Sequence, residues 1–256
     1  MGHPDHAAFG WLTPVLSYAM VCAGVALGLR CTVRALRATG RSRRNWLVTA
    51  ASAIGSGIWT MHFVAMLGFA VGGSEIRYDV PLTLLSLLVA VTAVCGGLFA
   101  VGHGHHRLRA LLLGGLGMGA GIASMHYLGM AAVRLHGALR YDPVFVALSA
   151  VVAVTAATGA LWAVLNIGSP LAVTVASLVI GGTVAGMHIT AMSAVSVHVV
   201  PSGEALPGAT AMQFVFPLAV GLGSHLFLTS AYVALSPMAE EPRPSAPDAR
   251  TAGNRA

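Results

Sequence analysis

Apolar positions in this chain are gathered into seven long blocks, separated by short polar stretches. The blocks are Trp11–Leu29, Trp46–Val71, Pro81–Val101, Leu111–Val133, Pro143–Leu165, Leu171–Val199 and Ala209–Leu235. Each is long enough, at about 1.5 Å per residue, to cross a hydrocarbon core of about 30 Å as a helix. Inside lipid every backbone polar group must be paired, and runs of this length are too long for barrel strands. The pattern therefore predicts an all-α fold: a polytopic membrane helix bundle with seven transmembrane helices.

Composition agrees with that reading. Of 256 residues, 56% are hydrophobic and only 9% are charged, against about 25% charged in a soluble domain. The net charge of +6 comes from arginine alone, because the chain has no lysine. The arginines sit between apolar blocks, so they read as orientation signals and not as a nucleic-acid surface. Arg30, Arg34, Arg37, Arg41, Arg43, Arg44, Arg107, Arg109, Arg243, Arg250 and Arg255 fall on one side, and Arg77, Arg134 and Arg140 on the other. Eleven against three makes the first side cytoplasmic. The expected layout is an external tail over 1–10, a membrane domain over 11–235 and a disordered cytoplasmic tail over 236–256. The first span is read as retained, since the N-terminus lacks the basic start of a signal peptide. Cys22, Cys31 and Cys95 form no CxxC pair, and Cys22 and Cys95, inside apolar blocks, read as packing residues.

The chain also repeats itself. Met61-His62-Phe63-Val64-Ala65-Met66 lies in the second block, Met125-His126-Tyr127-Leu128-Gly129-Met130 in the fourth, and Met187-His188-Ile189-Thr190-Ala191-Met192 in the sixth. The histidines are 64 and then 62 residues apart. Arg77-Tyr78-Asp79 and Arg140-Tyr141-Asp142 echo the period before the third and fifth blocks. The unit is two helices, giving three tandem repeats plus a seventh helix. Two helices restore direction, so the three motifs share one orientation. Each His lies 15 to 17 residues into its block, roughly 24 Å from the cytoplasmic edge, and all three belong at one level in the outer part of the bilayer.

At about 100° per residue, each His shares a helix face with the Met four places on. Gly55, Gly119 and Gly181, seven places before, and Ala65, Gly129 and Ala191, three places after, lie near that face. Small residues let membrane helices approach closely. An ionisable side chain within a span is a functional hypothesis by default; a structural hydrogen-bonding role is the alternative for any one such His. Imidazole with thioether suits a soft ion, copper before others. No carboxylate lies in any block, which disfavours magnesium, calcium and manganese. Haem held by paired histidines is the less favoured cofactor, since nothing specifies a porphyrin pocket. The candidate metal residues are His62, His126 and His188 with Met66, Met130 and Met192, then Met61, Met125 and Met187.

These motifs resemble the MHYT domain of bacterial membrane sensor proteins, and the resemblance covers about residues 11 to 235. It implies copper bound through the motif residues, and sensing of oxygen, carbon monoxide or nitric oxide. The chain departs from the four-letter motif: only the second copy keeps the tyrosine, as Tyr127, and only the third the threonine, as Thr190. Met and His stand in all three. Many members of the family carry cytoplasmic signalling domains, including those that make or degrade cyclic di-GMP. This chain reads as a stand-alone member, so a sensor role implies a separate cytoplasmic signalling protein, with the lipid bilayer as its other partner.

No catalytic triad, nucleotide loop or acidic pair appears, and the chain is not expected to be an enzyme. A transporter or channel using the same His/Met site is the competing function, and a structural or haem-binding membrane protein the third. His103, His105 and His106 read as a solvated loop, and His3 and His6 as a tail. His225 falls too deep to join the triad. Tyr78–Asp79 and Tyr141–Asp142 are expected to start the following helices or anchor the interface.

Overall fold

The computed structural model describes residues 10–103, 106–200 and 204–235. Seven helices carry the chain: α1 (Leu12–Arg37), α2 (Gly40–Met66), α3 (Val80–His103), α4 (Arg107–Ala131), α5 (Pro143–Asn166), α6 (Pro170–Ser193) and α7 (Phe216–Leu235), the last entered through a π-helical turn at Ala211–Val215. All seven are long and apolar enough to span a membrane, as the hydropathy blocks predict. The N-terminal tail with His3 and His6, His105, the side chain of His103 and the tail from 236 lie outside the described residues. His106 is exposed, in keeping with a solvated loop.

Consecutive helices pack side by side from α1 to α6, and α1 meets α6 to close a ring. α2, α4 and α6 carry the motifs. α7 stands outside the ring, against α1 and α2. α2 is the most enclosed span, 83% buried, and α7 the least, 17%, so α2 is the best-covered member of the ring and α7 an outrider. The three motif-helix glycines explain how the ring closes. A Cβ on Gly55 would stand 2.7 Å from the Val91 Cα of α3, one on Gly119 2.4 Å from the Val154 Cα of α5, and one on Gly181 2.6 Å from the Cys22 Sγ of α1. Each repeat thus uses the same glycine to seat its motif helix on the next helix round.

The helix ends depart from the hydropathy blocks in two ways. At the arginine-rich end the helices run on: α1 reaches Arg37 and α2 begins at Gly40, where the apolar blocks stopped at Leu29 and began at Trp46. Long arginine stems continue a helix into the interface, and their heads close neighbouring helix ends. Arg34 donates to the Val233 carbonyl at 2.6 Å, with its guanidinium 5.2 Å from the Trp46 ring. Arg43 donates to the Gly102 carbonyl, and Arg107 to Leu165 O at 3.3 Å and Asn166 Oδ1 at 2.9 Å. Cations on the last carbonyls suit both the unpaired groups and the helix dipole.

At the opposite end the blocks overran. α2 stops at Met66, not Val71, because Gly68 and the Gly72-Gly73 pair break it; α4 stops at Ala131 and α6 at Ser193, not Val199. Val195-Ser-Val-His-Val199 alternates β-branched and polar residues, a strand period. It forms β4 (Val195–Val199), antiparallel to β3 (Gly137–Tyr141). β1 (Arg77–Tyr78) lies between β2 (Val133–Arg134) and β5 (Ala209–Thr210). These short strands cap the motif end of the bundle.

Asp79 and Asp142 do start helices. Leu82 N–H donates to Asp79 Oδ1 at 3.1 Å, and Val144 N–H to Asp142 Oδ1 at 2.8 Å. Arg134 also donates to Asp79 Oδ2 at 2.7 Å, tying the second repeat to the first. The Arg134 hydrogen bond, then that from Leu82 N–H, hold the Asp79 carboxyl below its ordinary value of 3.8. A carboxylate with a depressed folded pKa stabilises above its unfolded pKa, and that stability is lost as pH falls through the folded one. Lowering pH below about 3.8 should therefore loosen the cap, read as faster amide exchange at residues 77–79 and 133–134. Asp79→Asn should remove that acid response; a variant that keeps it would place the titrating group elsewhere.

Candidate metal centre

Each motif histidine is presented by a helix that runs from the arginine end toward the strand cap. The equal depths predicted from spacing bring the rings together. The His62 and His126 centroids are 4.7 Å apart, His62 and His188 5.2 Å, and His126 and His188 5.2 Å. One ring nitrogen from each lies within 4.8 Å of the others. His62 Nδ1 and His188 Nδ1 are 3.2 Å apart; two neutral rings can make this contact only if one donates and the other accepts. Small residues make the room. A Cβ on Gly129 would stand 2.7 Å from His62 Nε2, so the glycine three places after His126 leaves space for the neighbouring imidazole.

The triad is enclosed. His62 and His126 are 1% exposed and His188 8%. Among the described residues, His62 Nε2 and both ring nitrogens of His126 have no hydrogen-bond partner. A buried polar atom without a partner costs about 1–3 kcal/mol, and native interiors rarely tolerate several together. Nitrogens coordinated to one ion at about 2.0–2.1 Å would lie about 3.4 Å apart, close to the His62–His188 contact. No Asp or Glu lies in any of the seven helices, so the donor set is neutral, suited to a soft cation. Orphaned nitrogens, spacing and donor chemistry all fit a bound metal ion. Rings this close leave no room for a porphyrin between them.

The methionines divide. Met61, Met66 and Met192 share a cavity with His188. Met125 and Met187 are buried in the apolar core. Met130, fully buried, lines a shallow outer pocket with Arg134 and Tyr141. His225 stays apart from the triad, as its depth requires: it lies 3.3 Å from Ser52 Oγ on the outside of α2.

Sequence reasoning missed a second set of repeated residues. Trp59 Nε1 donates to Ser86 Oγ at 2.9 Å, and the Tyr127 hydroxyl lies 2.7 Å from Ser149 Oγ. Each serine also donates to a carbonyl three residues back, Thr83 or Val146. The serines are 63 residues apart, and that offset was the signal available. Trp59, so held, packs on Phe63 at 4.3 Å, and Phe63 lies 4.7 Å from His62; Tyr127 lies 5.0 Å from His126.

Residues 55–114 and 119–180 each match the MHYT model, described as a bacterial signalling protein N-terminal repeat. The chain belongs to the MHYT family. The two matched stretches hold the first and second motifs, and the third, Met187–Met192, follows the second match directly. Among curated relatives, the chain is 44% identical over 166 residues to the bifunctional diguanylate cyclase/cyclic di-GMP phosphodiesterase MucR of Pseudomonas aeruginosa, covering 63% of this chain and 24% of that protein. It is 41% identical over 169 residues to the cyclic di-GMP phosphodiesterase NbdA of the same organism, covering 64% and 21%. It is 29% identical over 210 residues to the signaling protein YkoW of Bacillus subtilis, covering 75% and 25%. The matched stretches thus span about a quarter of these relatives' length. No solved structure matches the chain. This MHYT chain is therefore a multi-pass membrane protein of a signalling family.

Proposed function

We propose that this MHYT chain is a sensory membrane module built around one soft metal ion, copper before others. His62, His126 and His188 would hold it, and the thioethers of Met61, Met66, Met125, Met130, Met187 and Met192 would supply further soft donors or a polarisable surround. The observation that carries the reading is the meeting of three buried imidazoles, one ring nitrogen from each within 4.8 Å of the others, with both nitrogens of His126 lacking a partner among the described residues. A bound copper ion supplies a redox-active centre able to take a diatomic ligand such as oxygen, carbon monoxide or nitric oxide. The chain's own residues hold the three rings at one level and carry them on three helices, two of which, α2 and α4, start among arginines.

The arginine end is read as cytoplasmic, which puts the N-terminus and the metal level outside and the C-terminus inside. A separate signalling protein on the cytoplasmic side would receive the output, and no catalytic step is assigned to this chain. Binding is favoured over passage of a solute. Between the triad and the arginine end the bundle is filled by Val25, Leu29, Ile54, Ile58, Leu98, Ile122 and Leu161, around a void of only about 20 Å³.

The test is metal content with an absorption spectrum on protein purified in detergent. The wild type should retain about one copper per chain. The His62→Ala/His126→Ala/His188→Ala variant should retain less than a tenth of that, at unchanged helix content by circular dichroism. Equal copper in both proteins refutes the assignment, and a Soret band in the wild type would replace copper with haem.

A further inference from the structure

The three repeats are not filled alike. The positions three before and one after each motif histidine are Trp59 and Phe63, Ala123 and Tyr127, then Ala185 and Ile189. In the first repeat the aromatic pair bonds Ser86 on α3 through Trp59, and in the second Tyr127 bonds Ser149 on α5. The third repeat pairs α6 with α1, where the matching serine is Ser17. It precedes Ser86 by 69 residues, the same offset that relates Cys22 to Val91 at the glycine contacts. Ser17 is buried and donates to the Pro14 carbonyl three residues back at 2.9 Å, as its counterparts do to theirs. Among the described residues, no side chain donates back to it. Ile189, 65% exposed, has no polar group to offer it.

A cavity of about 490 Å³ results, among the strand-side ends of α1, α2 and α6. Ser17, Ala185, His188 and Ile189 line it together with Met61, Met66, Met192 and Phe69. This is far more than a single ion or diatomic molecule needs, since a water occupies about 30 Å³, and it falls in the range of small-molecule sites. Among the described residues no arginine or carboxylate lines it, which suits an uncharged occupant. Thioethers favour the edges of aromatic rings. Ser17, its own proton already committed, is an acceptor waiting for a donor.

We propose that this cavity binds an uncharged aromatic molecule bearing a ring hydroxyl, of the phenol or hydroquinone class, in the place that Tyr127 fills in the second repeat. The ring lies against Met61, Met66, Met192 and Phe69. The hydroxyl donates to Ser17 Oγ, as the tyrosine hydroxyl pairs with Ser149. The ligand then borders His188, the most accessible ring of the triad. The site does not depend on a metal at the triad.

The test uses 1-naphthol on metal-free full chain in lipid nanodiscs, with empty nanodiscs to subtract partitioning. Saturable binding at one site per chain is expected. Ser17→Ala should weaken it about tenfold, as should replacing the probe by 1-methoxynaphthalene, which has no hydroxyl proton. Ile189→Tyr, which copies the second repeat, should abolish binding; Ala185→Trp, a second filling variant, should do the same if the first misfolds. Binding no greater than to empty nanodiscs, or unaffected by either filling variant, overturns the proposal. A hydroquinone with a decyl tail separates the sources. If it binds as well as 1-naphthol, the ligand comes from the membrane; if it is excluded, from the aqueous side; either result upholds the site. Because no metal is present, a failure of the copper assignment leaves this outcome untouched.

Discussion

Metal-free His126→Leu protein should melt at a higher temperature than the metal-free wild type, and should no longer respond to copper(I). The imidazole of His126 is 1% exposed and both its nitrogens lack partners. Each such group costs about 1–3 kcal/mol, and an apolar side chain of similar size removes the cost without opening a cavity. A net gain of about 2 kcal/mol is expected from these figures. With copper(I) at about a thousand times its dissociation constant, the wild type should gain about 4 kcal/mol, and the variant almost none. Thermal scans at one rate, with and without copper(I), measure both changes. If His126 were an ordinary structural residue, the leucine would lower stability in both conditions, and that result would sink the metal reading.

Gly119→Val should be the most damaging single substitution among the motif-helix glycines. Its Cβ would stand 2.4 Å from the Val154 Cα and 2.7 Å from the Val154 N. Both are backbone atoms, so no rotamer relieves the clash and α4 must move away from α5. A cost of about 3 kcal/mol is expected for overpacking at so tight a contact. Separation there also displaces His126, two turns further along α4, so copper retention should fall with stability. Gly117 provides the contrast: nothing lies within 4 Å of a Cβ built on it, and Gly117→Ala should stabilise by about 1 kcal/mol through helix propensity. Equal melting temperatures for the two variants would show that α4 and α5 are not held by this contact.

Much of this architecture could be read from the chain because the deciding signals are long or repeated. Seven apolar blocks outlast any strand, and three histidines at matched depth on parallel helices must reach one level. The close approach at Gly55, Gly119 and Gly181 was visible for the same reason. The strand cap was not, because Val195-Ser-Val-His-Val199 continues the apolar run of α6 and only its period of two sets it apart. The arginine ends were read as loops because charge was taken to end a span, whereas long side chains carry the helix on. Among the methionines the wheel placed Met66, Met130 and Met192 on the histidine face, yet Met61, Met66 and Met192 are the ones that share a cavity with His188. Which of two neighbouring faces is enclosed depends on the adjoining helix. Ser17, Ser86 and Ser149 passed unnoticed because each sits on the helix adjoining the motif helix, outside the motif itself.

The outrider helix breaks the equivalence of the repeats. α7 touches α1 and α2, and its far end is fastened to them by the Arg34–Val233 hydrogen bond and by the Trp46 and Tyr232 rings, 6.4 Å apart. Among the described residues, the C-terminal end of α7 is thus held on the first hairpin. Under the proposed sensory role, a pull shared equally by three histidines would reach α7 as a tilt of one pair of helices, so a centre with near-threefold balance has a one-sided lever.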